Sequence, residues 1–284
     1  MNQHIQSVCF INSYNYSQYL EEALESALHQ TLPFDRLLIV DDGSTDGSQD
    51  IIRRYTEEYP LITAIYKKNE GQLSAFNAIV NLIDDESQIF FLDSDDIYPR
   101  DYHELILETM AKPWDIGFST LCNFTDSNQL QTAKVDNQIP LFLPKSSAIT
   151  RKNLAWLGSS TSGISISGKL LKAILPCDFE DDFVTRADDV LVYISSVIGA
   201  QKIFFPSIQV GWREHKLNNT SSYQNENWQQ RAENILKPLF NFYCKRYSLP
   251  CNPTIFEVLE EFKNLGQAEQ KYIISVMPNL FIRK

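Results

Sequence analysis

A chain of 284 residues, 43% hydrophobic and 12% aromatic, can bury a sizeable core, which excludes disorder as the state of any long stretch. Its formal net charge of -11 excludes an extended nucleic-acid face, which needs clustered Lys and Arg, although one anionic nucleotide can still be held through a cation. The five cysteines (Cys9, Cys122, Cys177, Cys244, Cys251) show neither CxxC nor ligand spacing, nothing reads as a signal peptide, and no run approaches the roughly 18 apolar residues that span a bilayer. The expectation is a soluble cytoplasmic protein, with peripheral contact to the inner face of a membrane left open.

Residues 5–11 read as a buried strand ending in the polar turn Asn12-Ser13-Tyr14-Asn15. An amphipathic helix follows, with Leu20, Ala23, Leu24, Ala27 and Leu28 on one stripe, closed by Pro33. A strand at 37–40 runs into the Asp-rich turn 41–48, and Ile51, Ile52 and Tyr55 carry helical spacing up to Pro60. Strand 62–66 leads to the polar stretch 67–72, and a helix over about 74–83 returns the chain to the strand at Phe90. Alternation of strand and helix predicts a mostly parallel, Rossmann-like α/β sheet with helices on both faces, whose ligands sit beyond the strand C-termini.

The stretch Phe90-Phe91-Leu92-Asp93-Ser94-Asp95-Asp96 places three carboxylates in four residues at such a strand end. Carboxylates this close repel, and a hard divalent ion shared with a nucleotide's phosphates relieves them. A solvated turn capping the helix after Pro99 would use the same residues. In the turn after Val40, residues Asp42, Ser44, Asp46 and Gly47 match the first, third, fifth and sixth places of a calcium loop, but Arg53 stands where the bidentate Glu belongs. A strand-to-helix turn capped by Asp46 or Ser48 explains that segment better.

Further on, 114–125 reads as a strand, 126–137 as an edge loop, and Gly158–Gly163 as a small-residue approach to the strand at Ile164 and Ile166. Arg186-Ala187-Asp188-Asp189 opens a helix with Leu191, Ile194, Val197 and Ile198 on its apolar side. Strand 203–210 ends in Trp212-Arg213-Glu214-His215, a helix over 225–247 is kinked at Pro238, and 254–277 offers more helix. The expected division is a domain over 1–222, split into a nucleotide half (1–113) and an acceptor half (114–222), with a helical C-terminal extension over 223–284 that packs on the core in preference to pairing two subunits or resting on a membrane face.

The blocks SYNYSQYLEEALESALHQT, LLIVDDGSTDGSQDII, NEGQLSAFNA and FFLDSDD, in that order and spacing, resemble those of GT-A fold glycosyltransferases of family 2. The resemblance implies inverting transfer of a sugar from a nucleotide diphosphate, UDP favoured, to a hydroxyl of a glycan or lipid-linked saccharide, in surface polysaccharide or glycoconjugate assembly. It implies that Tyr14 flanks the base, Asp42 bonds its uracil-type edge, Asp93 meets the ribose or metal, and Asp95 ligates Mn²⁺ or Mg²⁺ with Asp96 beside it. Gly71, Gln72 and Asn77 would line the diphosphate side, and His215 would reach the metal or diphosphate. The general base falls on Asp189 with Asp188 in the family's Glu place, or on Asp188 if the alignment slips by one residue.

Two departures stand out. Asn12 occupies a place where proline is usual, and Phe76 one where arginine is frequent, which removes a cation from the donor side and leaves Lys67 or Lys68 as substitutes or as plain solvated lysines. Two rivals are a nucleotidyltransferase, which would need a Gly- and Lys/Arg-rich loop where this chain has Asn12-Ser13-Tyr14-Asn15, and a non-catalytic nucleotide-sugar or glycan-binding relative, which the two intact acid clusters disfavour.

Overall fold

Along the central strands both side-chain sets are apolar, so each strand must be covered on both faces. The computed structural model, which describes residues 5–111, 113–126, 130, 132–143, 146–215 and 227–277, resolves this into one eight-stranded sheet among the described residues. The strands are β1 (Ser7–Ser13), β2 (Arg36–Asp41), β3 (Ile62–Tyr66), β4 (Gln88–Asp93), β5 (Ile116–Phe124), β6 (Leu141–Leu143), β7 (Ile164–Ser167) and β8 (Lys202–Arg213). Their order is β3-β2-β1-β4-β7-β5-β8-β6. The pairs β1/β2, β1/β4, β2/β3 and β5/β8 are parallel, and β7 enters antiparallel between β4 and β5, as does edge strand β6 against β8.

Val8 and Phe10, Leu38 and Val40, Ile89 and Phe91 face one core; Cys9 and Ile11, Leu37 and Ile39, Phe90 and Leu92 face the other. The second core is closed by α1 (Ser17–Leu28), α2 (Ser48–Glu58) and α4 (Tyr102–Glu108), the first by α3 (Gln72–Ala78), α6 (Gly168–Ile174) and α7 (Asp188–Val197). Helix α5 (Ser147–Asn153) instead anchors a smaller cluster through Ala148 and Ile149. The expected helix over 74–83 is shorter: α3 stops at Ala78 and a 3-10 turn, Val80–Leu82, takes the chain out. Neither Asp46 nor Ser48 is the N-cap of α2; Gly47 is, at φ +99°, while Asp46 Oδ1 accepts from the Ser48 amide and hydroxyl just inside.

The C-terminal helices pack on the core. A helix runs from α8 (Trp228–Arg231) through a π-helical turn, Ala232–Leu236, into α9 (Lys237–Arg246), whose Leu239, Phe240 and Tyr243 join the core against α7. A π turn immediately precedes Pro238, which lies in the first turn of α9. Helices α10 (Ile255–Lys263) and α11 (Gln267–Val276) close the cluster around α5, and α10 begins in a Thr254/Glu257 capping box. The expected boundary at 222/223 lies outside the described residues, as do 127–129 and 131 of the expected edge loop. Among the described residues no helix is long and apolar enough to cross a membrane.

One buried charge ties the second half together. Lys202, 1% exposed, donates from Nζ to Ser146 Oγ and Ser196 Oγ, 2.6 Å each, linking β8 to the start of α5 and to α7. Burial pushes its pKa down to about 7, with Glu261 opposing. The unfolded amine, near about 10.4, then binds more protons than the folded one between the two values, so stability rises with pH through that window and the full penalty applies below about 7. We expect wild type to gain on Lys202→Met by up to roughly 1.4 kcal/mol per pH unit between about pH 7 and 10, with the Met variant the more stable at neutral pH and below. Urea unfolding of both proteins at the two ends of the range checks this, and parallel pH profiles would refute it.

Candidate active site

Chain order turns back between β1 and β4, the switch point at which open α/β sheets bind their ligands. A cleft of about 770 Å³ opens there, over the C-terminal ends of β1, β2 and β4 and the N-terminus of α7. Tyr14, Asp42, Gly71, Gln72, Asp93, Asp95, Asp188 and Asp189 all line it, so eight expected site residues from five separate segments converge.

Asp93 sits at the switch point itself. Asn12, its register partner on β1, donates from Nδ2 to Asp93 Oδ1 at 2.6 Å, and Gln72 Nε2 reaches the same oxygen at 3.2 Å. Burial, then the nearby charge of Asp95, pushes the Asp93 pKa up to about 7 against those hydrogen bonds. Asn12, noticed in the sequence only as a departure from proline, is thus the residue that orients this carboxylate.

Asp95 faces His215, with Nε2 2.9 Å from Oδ2. The imidazole is held between the rings of Tyr19 (4.7 Å) and Tyr16 (5.6 Å). Arg213 fixes the turn below: its Nε donates to the Asp95 carbonyl at 2.7 Å, its backbone N–H to Asp96 Oδ1 at 2.8 Å, and its guanidinium pairs with Glu22 and lies 4.5 Å over Phe124. Asp96, expected beside a metal, is turned away. It is 2% exposed, takes Ser162 Oγ on its other oxygen at 2.6 Å, and burial together with Asp95 and Asp93 raises its pKa well above the usual carboxylate range.

Among the described residues no three His, Cys, Asp or Glu side chains are grouped to hold a metal ion by themselves. Asp95 and His215 instead form a two-donor edge beside the buried carboxylate of Asp93. One or two protein donors plus phosphate oxygens and water is how Mg²⁺ is ordinarily held at nucleotides, and imidazole also suits Mn²⁺, so the residues present fit such an ion.

The loop between β3 and α3 carries Gly71 and Gln72. Asp42, 4% exposed, accepts from the Glu70 amide (3.0 Å), the Gly71 amide (2.7 Å) and Lys67 Nζ (2.7 Å), fixing that loop. Lys67 is therefore an ion-paired residue of the loop, Lys68 is exposed, and neither lines the cleft. Phe76 points into the core between Phe10 and Phe91, at 5.5 and 4.9 Å, so a cation there would not face the donor side. Asn77 is likewise off the cleft: its side chain bonds both backbone groups of Cys177 and Glu180 Oε1. Tyr14 is 44% exposed at the rim.

Gln72 joins the two halves of the site. While Nε2 reaches Asp93, Oε1 accepts the Ala187 amide at 2.9 Å, directly before α7. Its backbone N–H donates to the Val184 carbonyl, so segment 183–187 is buttoned onto the start of α3. The two acids that follow are unlike. Asp189, expected as the base, is 1% exposed, and its Oδ2 pairs with Arg231 Nη2 (2.7 Å) and Arg186 Nη2 (3.0 Å). Asp188 is half-buried against the cleft, and burial, then Asp189 and Asp93, pushes its pKa up to about 8 against Arg186. Arg186, Arg213 and Arg231 were not singled out as site residues in the sequence; Arg213 lay inside the block that pointed to His215, whereas nothing near Arg231 marks it.

These features define the GT-A glycosyltransferase class, and comparison with known proteins agrees. The chain belongs to glycosyl transferase family 2, whose model matches residues 8–170. It is 31% identical over 225 residues to an uncharacterized glycosyltransferase of Nostoc sp., covering 78% of this chain and 69% of that one. It is 36% identical over 121 residues to a chondroitin synthase of Escherichia coli, covering 43% of this chain but only 17% of the synthase, so this chain spans a small part of that relative's length. Among solved structures, TarS of S. aureus with UDP-GlcNAc superposes with a TM-score of 0.61 over 97% of this chain and 80% of that one, at 15% identity. A mannosyltransferase from Pyrobaculum calidifontis with GDP-Man and Mn²⁺ gives 0.54 over 99% and 88%, at 14% identity. At these identities the two structures establish the shared fold.

Gly71 is the tightest point of this assembly, at φ +94° with room for a Cβ only 2.5 Å from Val184 Cα. Gly71→Ala is expected to destabilise the protein by at least about 1–3 kcal/mol, the typical cost of such a backbone conformation for a non-glycine residue. Urea denaturation measures it, and a loss within error would mean that the Val184 backbone yields freely.

Proposed function

We propose that this chain is an inverting, metal-dependent glycosyltransferase that moves a sugar from a nucleotide diphosphate, UDP favoured, to a hydroxyl of a glycan or lipid-linked saccharide. The observation that carries this reading is that Asp93 and Asp95, the latter bonded to His215 behind it, face Asp188 and Asp189 across one cleft at the switch point of the sheet. The relation to a chondroitin synthase supports a role in assembling surface polysaccharide or glycoconjugate.

In this reading Tyr14 lies beside the nucleobase and Asp42 offers the base edge the lone-pair capacity left by its loop partners. Gly71 and Gln72 face the diphosphate, and Asp93 takes the ribose or joins the metal edge. Asp95 and His215 would hold Mn²⁺ or Mg²⁺, which when bound stabilises charge growing on the leaving diphosphate. Asp188 takes the proton of the acceptor hydroxyl as the oxygen attacks the anomeric carbon from the opposite side. It is the acid that is open to the cleft, and its raised proton affinity suits a base better than a carboxylate already clamped by two guanidinium groups.

Thermal melts against UDP, GDP, TDP and CDP with Mn²⁺, Mg²⁺ or EDTA test the donor site. A nucleotide at about 100 times its dissociation constant should add roughly 2.7 kcal/mol, need the metal, and lose its effect in Asp95→Ala. No shift with any nucleotide would sink the reading. Asp188→Asn should keep that shift but lower turnover by about 10²–10⁴-fold, the usual worth of a general base. Full turnover in Asp188→Asn together with such a loss in Asp189→Asn would return the base to Asp189.

A further inference from the structure

The C-terminal segment reaches the cleft through one side chain. Arg231, the last residue of α8, is 6% exposed, and its Nη2 lies 2.7 Å from Asp189 Oδ2 with the guanidinium 5.5 Å over the ring of Phe183. Phe183 belongs to the segment buttoned onto α3, its carbonyl accepting the Leu73 amide. The helix carrying Arg231 is anchored on α7 as well: Phe240 packs edge-on against Tyr193, one turn beyond Asp189, at 5.4 Å. On a regular 3.6-residue helix the apolar stripe Leu236, Leu239, Phe240 and Tyr243 would lie about 130° around from Arg231. The π turn at Ala232–Leu236 uses more residues per turn and swings the stripe back, so that arginine and stripe both face α7.

We propose that Arg231 is a positioning residue for the catalytic acid pair, and that the helix from Trp228 to Arg246 is therefore part of the catalytic unit and not an appendage to it. This rests on the transferase reading above. The groups facing the pair are Asp93 from β4, Arg186 from the preceding loop, Arg231 from α8 and the Tyr193 hydroxyl on α7 itself. Three acids are thus balanced by two guanidinium groups, both on Asp189 Oδ2. A buried carboxylate stays ionised only when so paired. With both cations in place Asp189 is clamped in one position, and Asp188 is the acid left towards the cleft. Without Arg231 the pair shares one cation, and Asp188 loses its fixed neighbour.

The test compares the 284-residue chain with Arg231→Met, Arg231→Lys and Asp189→Asn, and with the Asp189→Asn/Arg231→Met double variant, which removes both partners of the Arg231–Asp189 pair if Arg231→Met alone folds poorly. Two readouts are used: release of UDP from UDP-N-acetylglucosamine with Mn²⁺, and carboxyl-carbon NMR titration of Asp188 and Asp189. Arg231→Met should lower kcat about 100-fold, the scale of a small misplacement of a reacting group, with KM within about twofold and the UDP melting shift kept. The Lys variant should recover part of the loss, and Arg231→Met should add no further loss in the Asp189→Asn background. In Arg231→Met, which removes a positive charge beside the pair, the carboxyl titration of Asp188 should move up. Wild-type kcat and unmoved titrations in Arg231→Met would overturn the inference while the transferase reading stood. No UDP release and no UDP shift in wild type would instead fail that reading, and the NMR titrations would still decide whether Arg231 governs the acid pair.

Discussion

Mutual repulsion among buried carboxylates is the constraint that the rest of this cleft answers. Asp93, Asp95 and Asp96 stand within four residues, and Asp188 and Asp189 approach from across the cleft closely enough for Asp93 to act on Asp188. Charges of one sign in a poorly hydrated place persist only if each has donors. Every one has them, of different kinds: amide side chains for Asp93, an imidazole for Asp95, a backbone N–H and a serine hydroxyl for Asp96, guanidinium groups for Asp189. Asp95 and Asp188 have the fewest, each carboxylate accepting one of the hydrogen bonds described, from His215 and from the Asp189 N–H. Partner number, read across the five acids, separates Asp93, Asp96 and Asp189, which are firmly held, from the two acids more open to the cleft.

The sheet supplies the geometry for this. At the switch point β1 has β2 on one side and β4 on the other, so the chain leaves each strand in a different direction and a crevice opens between the connections. Small side chains and backbone then sew the crevice shut from outside. Ser162 accepts the Asp93 amide and donates to Asp96, and Gln72 spans from Asp93 to the backbone before α7. Donor-side and acid-side groups are therefore not independently mobile: a shift of segment 183–187 pulls on Gln72, and through it on Asp93.

Much of this was legible in the sequence for a physical reason. Strand ends in a parallel sheet are marked by an abrupt change from an apolar run to Asp, Asn and Gly, so Asp42 and Asp93–Asp96 announced both the sheet and its ligand edge. What side chains do within such a block was less legible. Asp95 and Asp96 are adjacent and chemically identical, yet one faces the cleft and the other anchors β8, because successive side chains of a turn diverge. Phe76 and Asn77 lie on α3, where a residue's direction depends on helix phase, and Phe76 falls on the face packed against Phe10 and Phe91. Arg231 left no local trace at all, since its partner is 42 residues away and is brought near only by helix packing.

That distance bears on where the catalytic unit ends. The family match stops at residue 170, before the acid pair and before Arg186 and Arg231, the two cations on it. Asp42, Asp93 and Asp95 fall within the matched block because they sit at neighbouring strand ends of one sheet. The acid pair lies across the cleft, where the start of α7 is held by the preceding loop, by α3 and by α8 at once. Arg186 and Arg231 both pair with Asp189, and Gln72 accepts the Ala187 amide just before Asp188. An acid fixed by three separate parts of the chain keeps its aim when any one loop varies in sequence. The remaining walls of the cleft, Trp156 and Trp212 among them, stand apart from the contacts named here that hold the pair.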